Sequence, residues 1–346
     1  MNAGRARSAP AVEGCALETH DGLIFTVKGL LHPPGRTIAY LRYVPDPAGD
    51  RCREGLRYRR VYRFADQLEE LRARGLEYVV DDAASGVRLQ SVPDADVHVV
   101  YDPSRRLRQL ADEGPGDALE AAALSLCELV RGEAGVGDGA LGVTGSLLFG
   151  LQNAASDLDL VVYGEEGCRA VHGALRRLMG DPRSPLQRPG DEELAAIAAR
   201  HREDTPISAA DFVRLQARKV NEGRFEGRPC FVRFVKRPGE VPERYGDQRY
   251  EPLRSATIRA RVDDASEALF TPCRYGVAEV TREDGAPAPG LCEIVSFRGR
   301  FADQARRGEW VRAHGALERV VRRDGPVTAR LTVGGAPGDF LVSAPG

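Results

Sequence analysis

Two carboxylates stand two residues apart in the stretch Ser156-Asp157-Leu158-Asp159-Leu160-Val161-Val162-Tyr163. In an extended chain, residues i and i+2 project from the same face. Asp157 and Asp159 therefore point together, and Leu158 and Leu160 turn to the other side. Two ionised carboxylates so placed repel one another and raise each other's pKa. A hard divalent cation between them removes that cost. Mg²⁺ is satisfied by one or two carboxylates plus the phosphate oxygens of a substrate.

A complementary element lies ten residues before the pair. Gly145-Ser146 follows the apolar run Ala140-Leu141-Gly142-Val143-Thr144 and is expected to open a short helix, where backbone N–H groups lack partners. Gly145 lets a bulky anion approach the main chain, the Ser146 hydroxyl adds a donor, and a helix start suits phosphate. One element holds a cation and the other a phosphate. A nucleoside triphosphate bound to Mg²⁺ needs both.

These residues need a scaffold that sets a strand mouth beside a turn, and the surrounding pattern supplies one. Asp117 is placed to cap a helix running to about Arg131, with Gly132 at its end. Strands are expected at 140–144 and across Asp157–Gly164, then a helix in "GCRAVHGALRRLMG", two more at 190–203 and 208–222, and a strand in "RPCFVRFVKRP". The order indicates an α/β core over 111–240. Before it, residues 1–110 read as an α+β region. A loose tail to about residue 16 precedes strands in "LIFTVKGLLH" and "RTIAYLRYVP", which are joined by His32-Pro33-Pro34-Gly35. A helix follows in "FADQLEELRARG", then short strands in "LEYVVDD" and "DVHVVYD". After the core, residues 241–346 carry short alternating runs with turns between them, the pattern of a β-rich domain built as a small barrel. The fold class expected is thus α/β within an α+β whole, its central sheet mixed.

The Thr144–Gly164 stretch resembles the signature of the polymerase-β-like nucleotidyltransferases: an apolar strand, Gly-Gly or Gly-Ser, a gap of about this length, then Asp-x-Asp between apolar positions. Gly150 and the Ser156-Asp157 pair also match residues often found there. The whole chain is similar to the archaeal-type predicted nucleotidyltransferases, which join such a core to further N- and C-terminal regions. The resemblance implies that Asp157 and Asp159 bind Mg²⁺ or Mn²⁺ and are the catalytic carboxylates. It implies that Gly145 and Ser146 bind the triphosphate of a nucleoside triphosphate, ATP among them. The reaction implied is transfer of a nucleoside monophosphate to an acceptor hydroxyl or phosphate with release of pyrophosphate, by positioning and charge stabilisation.

The same resemblance implies a third carboxylate on a later strand, and the matching strand, "RPCFVRFVKRP", has none. Its inward set is Phe231, Arg233 and Val235, or else Cys230, Val232 and Phe234. Arg233 falls where an acid is expected, and Glu222 and Glu226 just before the strand are the candidate substitutes. The gap keeps a second reading open: a catalytically degenerate relative that binds nucleotide, RNA or a protein partner, with Arg233, Lys236 and Arg237 as an anion-binding strand edge.

Composition narrows the class without choosing between these readings. The chain has 346 residues, 42% hydrophobic and 29% charged, with a net charge of −2. A global basic field that would gather nucleic acid is absent. No run approaches the roughly 20 apolar residues of a membrane span. The start "MNAGRARSAPAVEG" lacks the apolar core of a signal peptide. Seven scattered cysteines without a CxxC pair suit a reducing compartment, so a cytoplasmic protein is expected. The six histidines show no metal-type spacing. Asp94 and Asp96 in "PDADVHVVYD" imitate the carboxylate pair but lack an upstream Gly-Ser, and read as a turn. Arg alternates with Tyr and Phe in "RYRRVYRF", 57–64, and again around Trp310 in "FRGRFADQARRGEWVRAHG", 297–315. Both strips have the composition of nucleic-acid contacts, and both are also ordinary solvated strand faces.

Overall fold

The structure, a computed structural model, describes residues 11–201, 206–323 and 325–344. Among these, seven α-helices and three sheets form a mixed α/β structure that is mostly β.

The first sheet holds β1 (Ala16–Thr19), β2 (Ile24–Val27), β3 (Arg36–Pro45), β4 (Arg51–Arg53), β5 (Leu56–Arg60), β6 (Val79–Asp82), β7 (Val87–Pro93) and β8 (Val97–Tyr101). Its order is β4-β5-β3-β2-β1-β8, with β7 paired to β3 and β6 to β7. The His32–Gly35 turn joins β2 to β3 as the prolines and glycine require. One helix, α1 (Phe64–Ala73), packs on this sheet through Leu71, although Phe64 stays exposed. The run Asp94–Asp96 is a single 3₁₀ turn entering β8, as the sequence implied. Of the expected loose tail, residues 1–10 lie outside the described residues. Residues 13–16 are packed: Glu13 and Cys15 are buried, and Ala16 begins β1.

The second sheet carries the site. Its strands are β9 (Leu141–Val143), β10 (Leu158–Tyr163), β11 (Leu186–Gln187), β12 (Glu222–Phe225) and β13 (Arg228–Val235), in the order β11-β12-β13-β10-β9. Only β10 and β13 run parallel, so the sheet is mixed. Around it stand α2 (Pro103–Glu113), α3 (Ala118–Ala134), the one-turn α4 (Ser146–Phe149), α5 (Glu165–Leu178), α6 (Asp191–His201) and α7 (Ala209–Gln216).

Leu158, Leu160 and Val162 point into an apolar core with Leu126, Val130, Val171 and Leu175 from α3 and α5. That core also takes Leu107 and Leu110 of α2, so the central unit reaches back to Pro103, inside the 1–110 region of the sequence reading. Asp117 does cap α3, accepting from the N–H groups of Leu119 and Glu120. The helix continues past Gly132 and ends at Gly135, whose φ of 66° is the left-handed stop. The helix expected over 208–222 ends at Gln216, and β12 takes its last residue. Glu226 and Gly227, with φ of 49° and 79°, make the two-residue hairpin that pairs β12 with β13. The end of the 190–203 helix, beyond His201, lies outside the described residues.

The third sheet holds β14 (Gln248–Asp264), β15 (Cys273–Arg282), β16 (Leu291–Ser296), β17 (Trp310–Arg322), β18 (Thr328–Thr332) and β19 (Phe340–Ser343). The path β14-β15-β16-β18-β17 closes through pairing of β14 with β17, and β16 runs parallel to β18. The expected barrel is therefore five-stranded and closed, with β19 added against β17.

Candidate functional site

Asp159 lies in β10 on the face opposite Leu158 and Leu160, and Asp157 precedes the strand on that same side. Asp157 is exposed and Asp159 half-buried. The antiparallel pairing of β9 with β10 brings the next turn beside them, and the Thr144 N–H donates to the Asp159 carbonyl at 2.8 Å. Gly145 follows with φ 63° and ψ −144°, a conformation that disfavours side chains. It is also the point of closest approach to the acid. A Cβ at position 145 would lie 2.8 Å from the Asp159 Cγ and 3.0 Å from its Cβ. Glycine is thus required twice, for its conformation and for the carboxylate packed against it.

The structure brings together all four residues the spacing singled out. Gly145, Ser146, Asp157 and Asp159 line one cleft of about 240 Å³. The opposite wall belongs to the N-terminal sheet and consists of Thr26, Arg42, Tyr43, Arg60 and Tyr62. Because α4 is one turn long, little helix dipole is present at the Gly-Ser turn. What it offers are the first N–H groups of the turn and the Ser146 hydroxyl.

The loop that delivers Asp157 is held from outside the core. Arg51 of β4 is buried and donates from Nη1 to the Leu151 carbonyl at 3.1 Å and to the Ser156 Oγ at 2.9 Å. Ser156 Oγ in turn accepts from the Asn153 N–H at 3.0 Å. Ser156 is therefore a buried brace, with its hydroxyl turned into the loop.

The electrostatics follow from the packing. Burial pushes the Asp159 carboxyl up, the neighbouring Asp157 pushes it further, and Arg233, Arg42 and Arg60 pull it partly back. The balance leaves it at about 6, against an ordinary 3.8. A cation between the two acids would lower it.

The later strand is arranged differently from the sequence expectation. Asp159 faces Phe231 across the parallel β10–β13 ladder, and Val161 faces Arg233. The inward set is thus Phe231 and Arg233, while Cys230, Val232 and Phe234 enter the core. Phe231 occupies the row in which a third acid was sought. Glu222 stands in that row one strand further out, beyond Phe231, and Glu226 is in the hairpin turn. Neither replaces the missing acid. Among the described residues, no group of three or more His, Cys, Asp or Glu side chains is arranged to hold a metal.

Arg233 is occupied elsewhere. Its Nη1 lies 3.1 Å from Glu13 Oε1, and Lys28 Nζ is also 3.1 Å from that oxygen. Burial alone would raise the Glu13 carboxyl, but Lys28, Arg233 and the Gly29 N–H outweigh burial and hold it below its ordinary value. Lys236 pairs with Glu165 at 3.0 Å and Glu267 at 2.7 Å, and Arg237 donates to the Gly139 carbonyl. The anion-binding strand edge suggested by Arg233, Lys236 and Arg237 is therefore already neutralised or bonded.

Several lining residues were not singled out from the sequence. Arg42 sits at a β-bulge, where the single step from Ile24 to Phe25 on β2 spans Tyr43 to Leu41 on β3. Bulges re-aim side chains, and their position cannot be read from spacing. Arg60 and Tyr62 did belong to the aromatic–arginine strip at 57–64, and that strip was the available signal. The second strip is split by the barrel. Arg259 stacks over Trp310 at 5.0 Å, Arg312 pairs with Glu283 at 2.5 Å, and Phe297 remains exposed.

The donors present suit Mg²⁺ or Mn²⁺. They are all oxygen, two are carboxylates, and the acid nearest the turn is raised by burial and by its neighbour Asp157. Two protein ligands would leave the remaining positions to water and a phosphate, the common arrangement for Mg²⁺.

In comparison with known proteins, the chain is 30% identical over 328 residues to the Uncharacterized protein MJ1086 of Methanocaldococcus jannaschii, an alignment covering 92% of this chain and 94% of the relative. No family model matches the chain. No solved structure matches it. No helix among the described residues is long and apolar enough to cross a membrane.

Proposed function

The chain belongs to the family of the archaeal protein MJ1086, and from that premise we propose that it is a metal-dependent nucleotidyltransferase of the polymerase-β-like kind. The alignment spans most of each of the three units, so the reading applies to the family plan as a whole. One observation carries it: Gly145 packs directly against the Asp159 carboxylate in an open cleft shared with Ser146 and Asp157. A glycine packed against one of two neighbouring carboxylates, beside an open turn, supports a site for a magnesium–triphosphate complex.

In this reading Asp157 and Asp159 would hold the divalent ion, which would supply charge neutralisation for the α-phosphate and the pyrophosphate. The Gly145–Ser146 turn binds triphosphate oxygens through its N–H groups and the Ser146 hydroxyl. Arg51 fixes the loop so that Asp157 meets Asp159, and β9 fixes Gly145 against β10. The acceptor hydroxyl attacks the α-phosphorus, the bond to the bridging oxygen breaks, and pyrophosphate leaves. The proton of the attacking hydroxyl passes to solvent or to a substrate phosphate, since Phe231 stands where a third acid would receive it.

The same Phe231 favours a second reading, a degenerate relative that binds the nucleotide without turning it over. One experiment separates them. Each labelled nucleoside triphosphate is incubated with the protein, Mg²⁺ or Mn²⁺ and candidate acceptors, and pyrophosphate is measured. The enzyme reading expects release that falls by more than about 100-fold in Asp157→Asn and Asp159→Asn, the scale of losing a main charge-stabilising group. Nucleotide binding without release for any acceptor, insensitive to these substitutions, would support the binding protein.

A further inference from the structure

The cleft has a second wall that the carboxylates do not explain. Arg42 places its guanidinium 4.0 Å from the Tyr62 ring centroid, and Arg60 lies 4.9 Å from the same centroid and also donates to the Tyr62 hydroxyl. Both lie in the cleft with Asp157 and Asp159. Their neighbour Arg59 is engaged differently, paired with Asp46 at 2.9 Å and Glu70 at 2.8 Å on the sheet exterior. Arg42 and Arg60 both contact Tyr62 and both act on Asp159, whose carboxyl they lower, so their charges face the cleft.

Tyr62 is 60% exposed although it is aromatic. The strip continues outward from the cleft. Thr26, at the cleft edge, pairs with Tyr40 on β3, and the Tyr40 ring lies 6.0 Å from that of Phe64, itself 40% exposed. Guanidinium groups at the cleft, with the exposed rings of Tyr62 and Phe64 and the half-buried ring of Tyr40 beside them, match the needs of a single-stranded nucleic acid. Arginines neutralise phosphates, and ring faces stack successive bases without regard to sequence. A protein acceptor offering a Ser, Thr or Tyr hydroxyl has no phosphate for such a wall to hold.

We propose that Arg42, Arg60 and Tyr62, extended by Tyr40 and Phe64, form the acceptor subsite, and that the acceptor is the end of a single-stranded oligonucleotide. Its terminal phosphate is held by Arg42 and Arg60, which sets its free hydroxyl toward Asp157 and Asp159. The word acceptor rests on the nucleotidyltransferase reading, whereas the subsite as a binding site does not.

The test measures binding apart from turnover. Fluorescence anisotropy of the full-length protein with a short fluorescein-labelled oligouridylate is recorded in EDTA, without nucleoside triphosphate, over a range of salt. Binding should weaken steeply with salt. Arg42→Gln, Arg60→Gln and Tyr62→Ala should each weaken it by about tenfold or more, the scale of one lost phosphate or stacking contact. Arg60→Lys should recover part of the loss, and Asp159→Asn should bind at least as well as the parent. A parallel titration with a fluorescent ATP analogue and Mg²⁺ identifies which phosphate the wall holds. Loss of the analogue in the Arg variants, with the oligonucleotide unaffected, assigns the wall to the triphosphate and overturns the proposal. Parent-like oligonucleotide binding by all three variants also overturns it. Melting temperatures guard against misfolding at the Arg42 bulge. If the variants lose the oligonucleotide while the parent releases no pyrophosphate, the subsite stands and the nucleotidyltransferase reading falls.

Discussion

At the scale of single residues, two positions concentrate the chemistry. Asp159 carries a carboxyl raised to about 6 by burial and by Asp157. An acid whose folded pKa exceeds its unfolded value binds more protons when folded. Its stabilising contribution is complete below pH 4 and is lost as pH rises through about 6. Asp159→Asn removes that penalty. The variant should be more stable than the parent at pH 8, by at most roughly 3 kcal/mol, and equal to it near pH 4. Thermal melts at the two pH values check this. For the same reason, any rise in melting temperature caused by Mg²⁺ should be present at pH 8 and absent at pH 5, where protons compete for the site. Gly145 is the other position. Gly145→Ala adds a Cβ at positive φ against the Asp159 carboxylate. It should cost about 2 kcal/mol or more by chemical denaturation and reduce pyrophosphate release to the level of Asp159→Asn. An unchanged denaturation midpoint would contradict the packing of the turn on the acid.

At the scale of elements, the site depends on a loop and a bulge. The loop from Leu151 to Ser156 has little regular structure, and Arg51 supplies its anchor from a different sheet. Arg51→Met leaves the Leu151 carbonyl and the Ser156 hydroxyl without that donor. It should destabilise the protein by about 2–4 kcal/mol and raise the Mg²⁺ concentration needed for half-maximal stabilisation. Equal Mg²⁺ dependence in variant and parent would show that the brace has no part in positioning Asp157. The elements also show where spacing misleads. The helix expected over 208–222 stops at Gln216, and the Glu226–Gly227 hairpin pairs Glu222–Phe225 with β13 as β12. An Asn-Gly pair would have announced that hairpin, whereas Glu-Gly gives only the glycine as a signal.

At the scale of the whole molecule, the cleft exists because two units share a core. Leu148, Phe149 and Leu151 of the central unit are buried with Ala16, Ile24, Tyr43 and Tyr58 of the N-terminal sheet. Phe149 meets Tyr43 at 5.7 Å and Tyr101 at 5.5 Å, edge to face. This cluster lies directly behind the Gly-Ser turn, so it sets the distance between the acidic and basic walls. Phe149→Ala should cost about 3–5 kcal/mol. The barrel joins the core through His172 and Asp303, 2.9 Å apart, and through Lys236 and Glu267. Residues 103–240 expressed alone would expose Leu148, Phe149 and Leu151. They should bind a hydrophobic dye and lack a cooperative melt, while the full chain melts cooperatively.

The sequence by itself determined the acidic pair, the Gly-Ser turn and the strands that carry them, because these depend on near neighbours. Alternation puts Asp157 and Asp159 on one face, and a glycine between a strand and a turn has few other uses. It also marked the β-rich end and the cap at Asp117 for the same local reasons. Tertiary structure alone decided what the acids face. Arg42 is aimed by a bulge, Arg51 arrives from a strand about a hundred residues away, and Phe231 rather than an acid fills the row beside Asp159 because of ladder register. Each of these is a long-range pairing, and a pairing register fixed by a distant partner leaves no trace in the spacing of the residues it brings together.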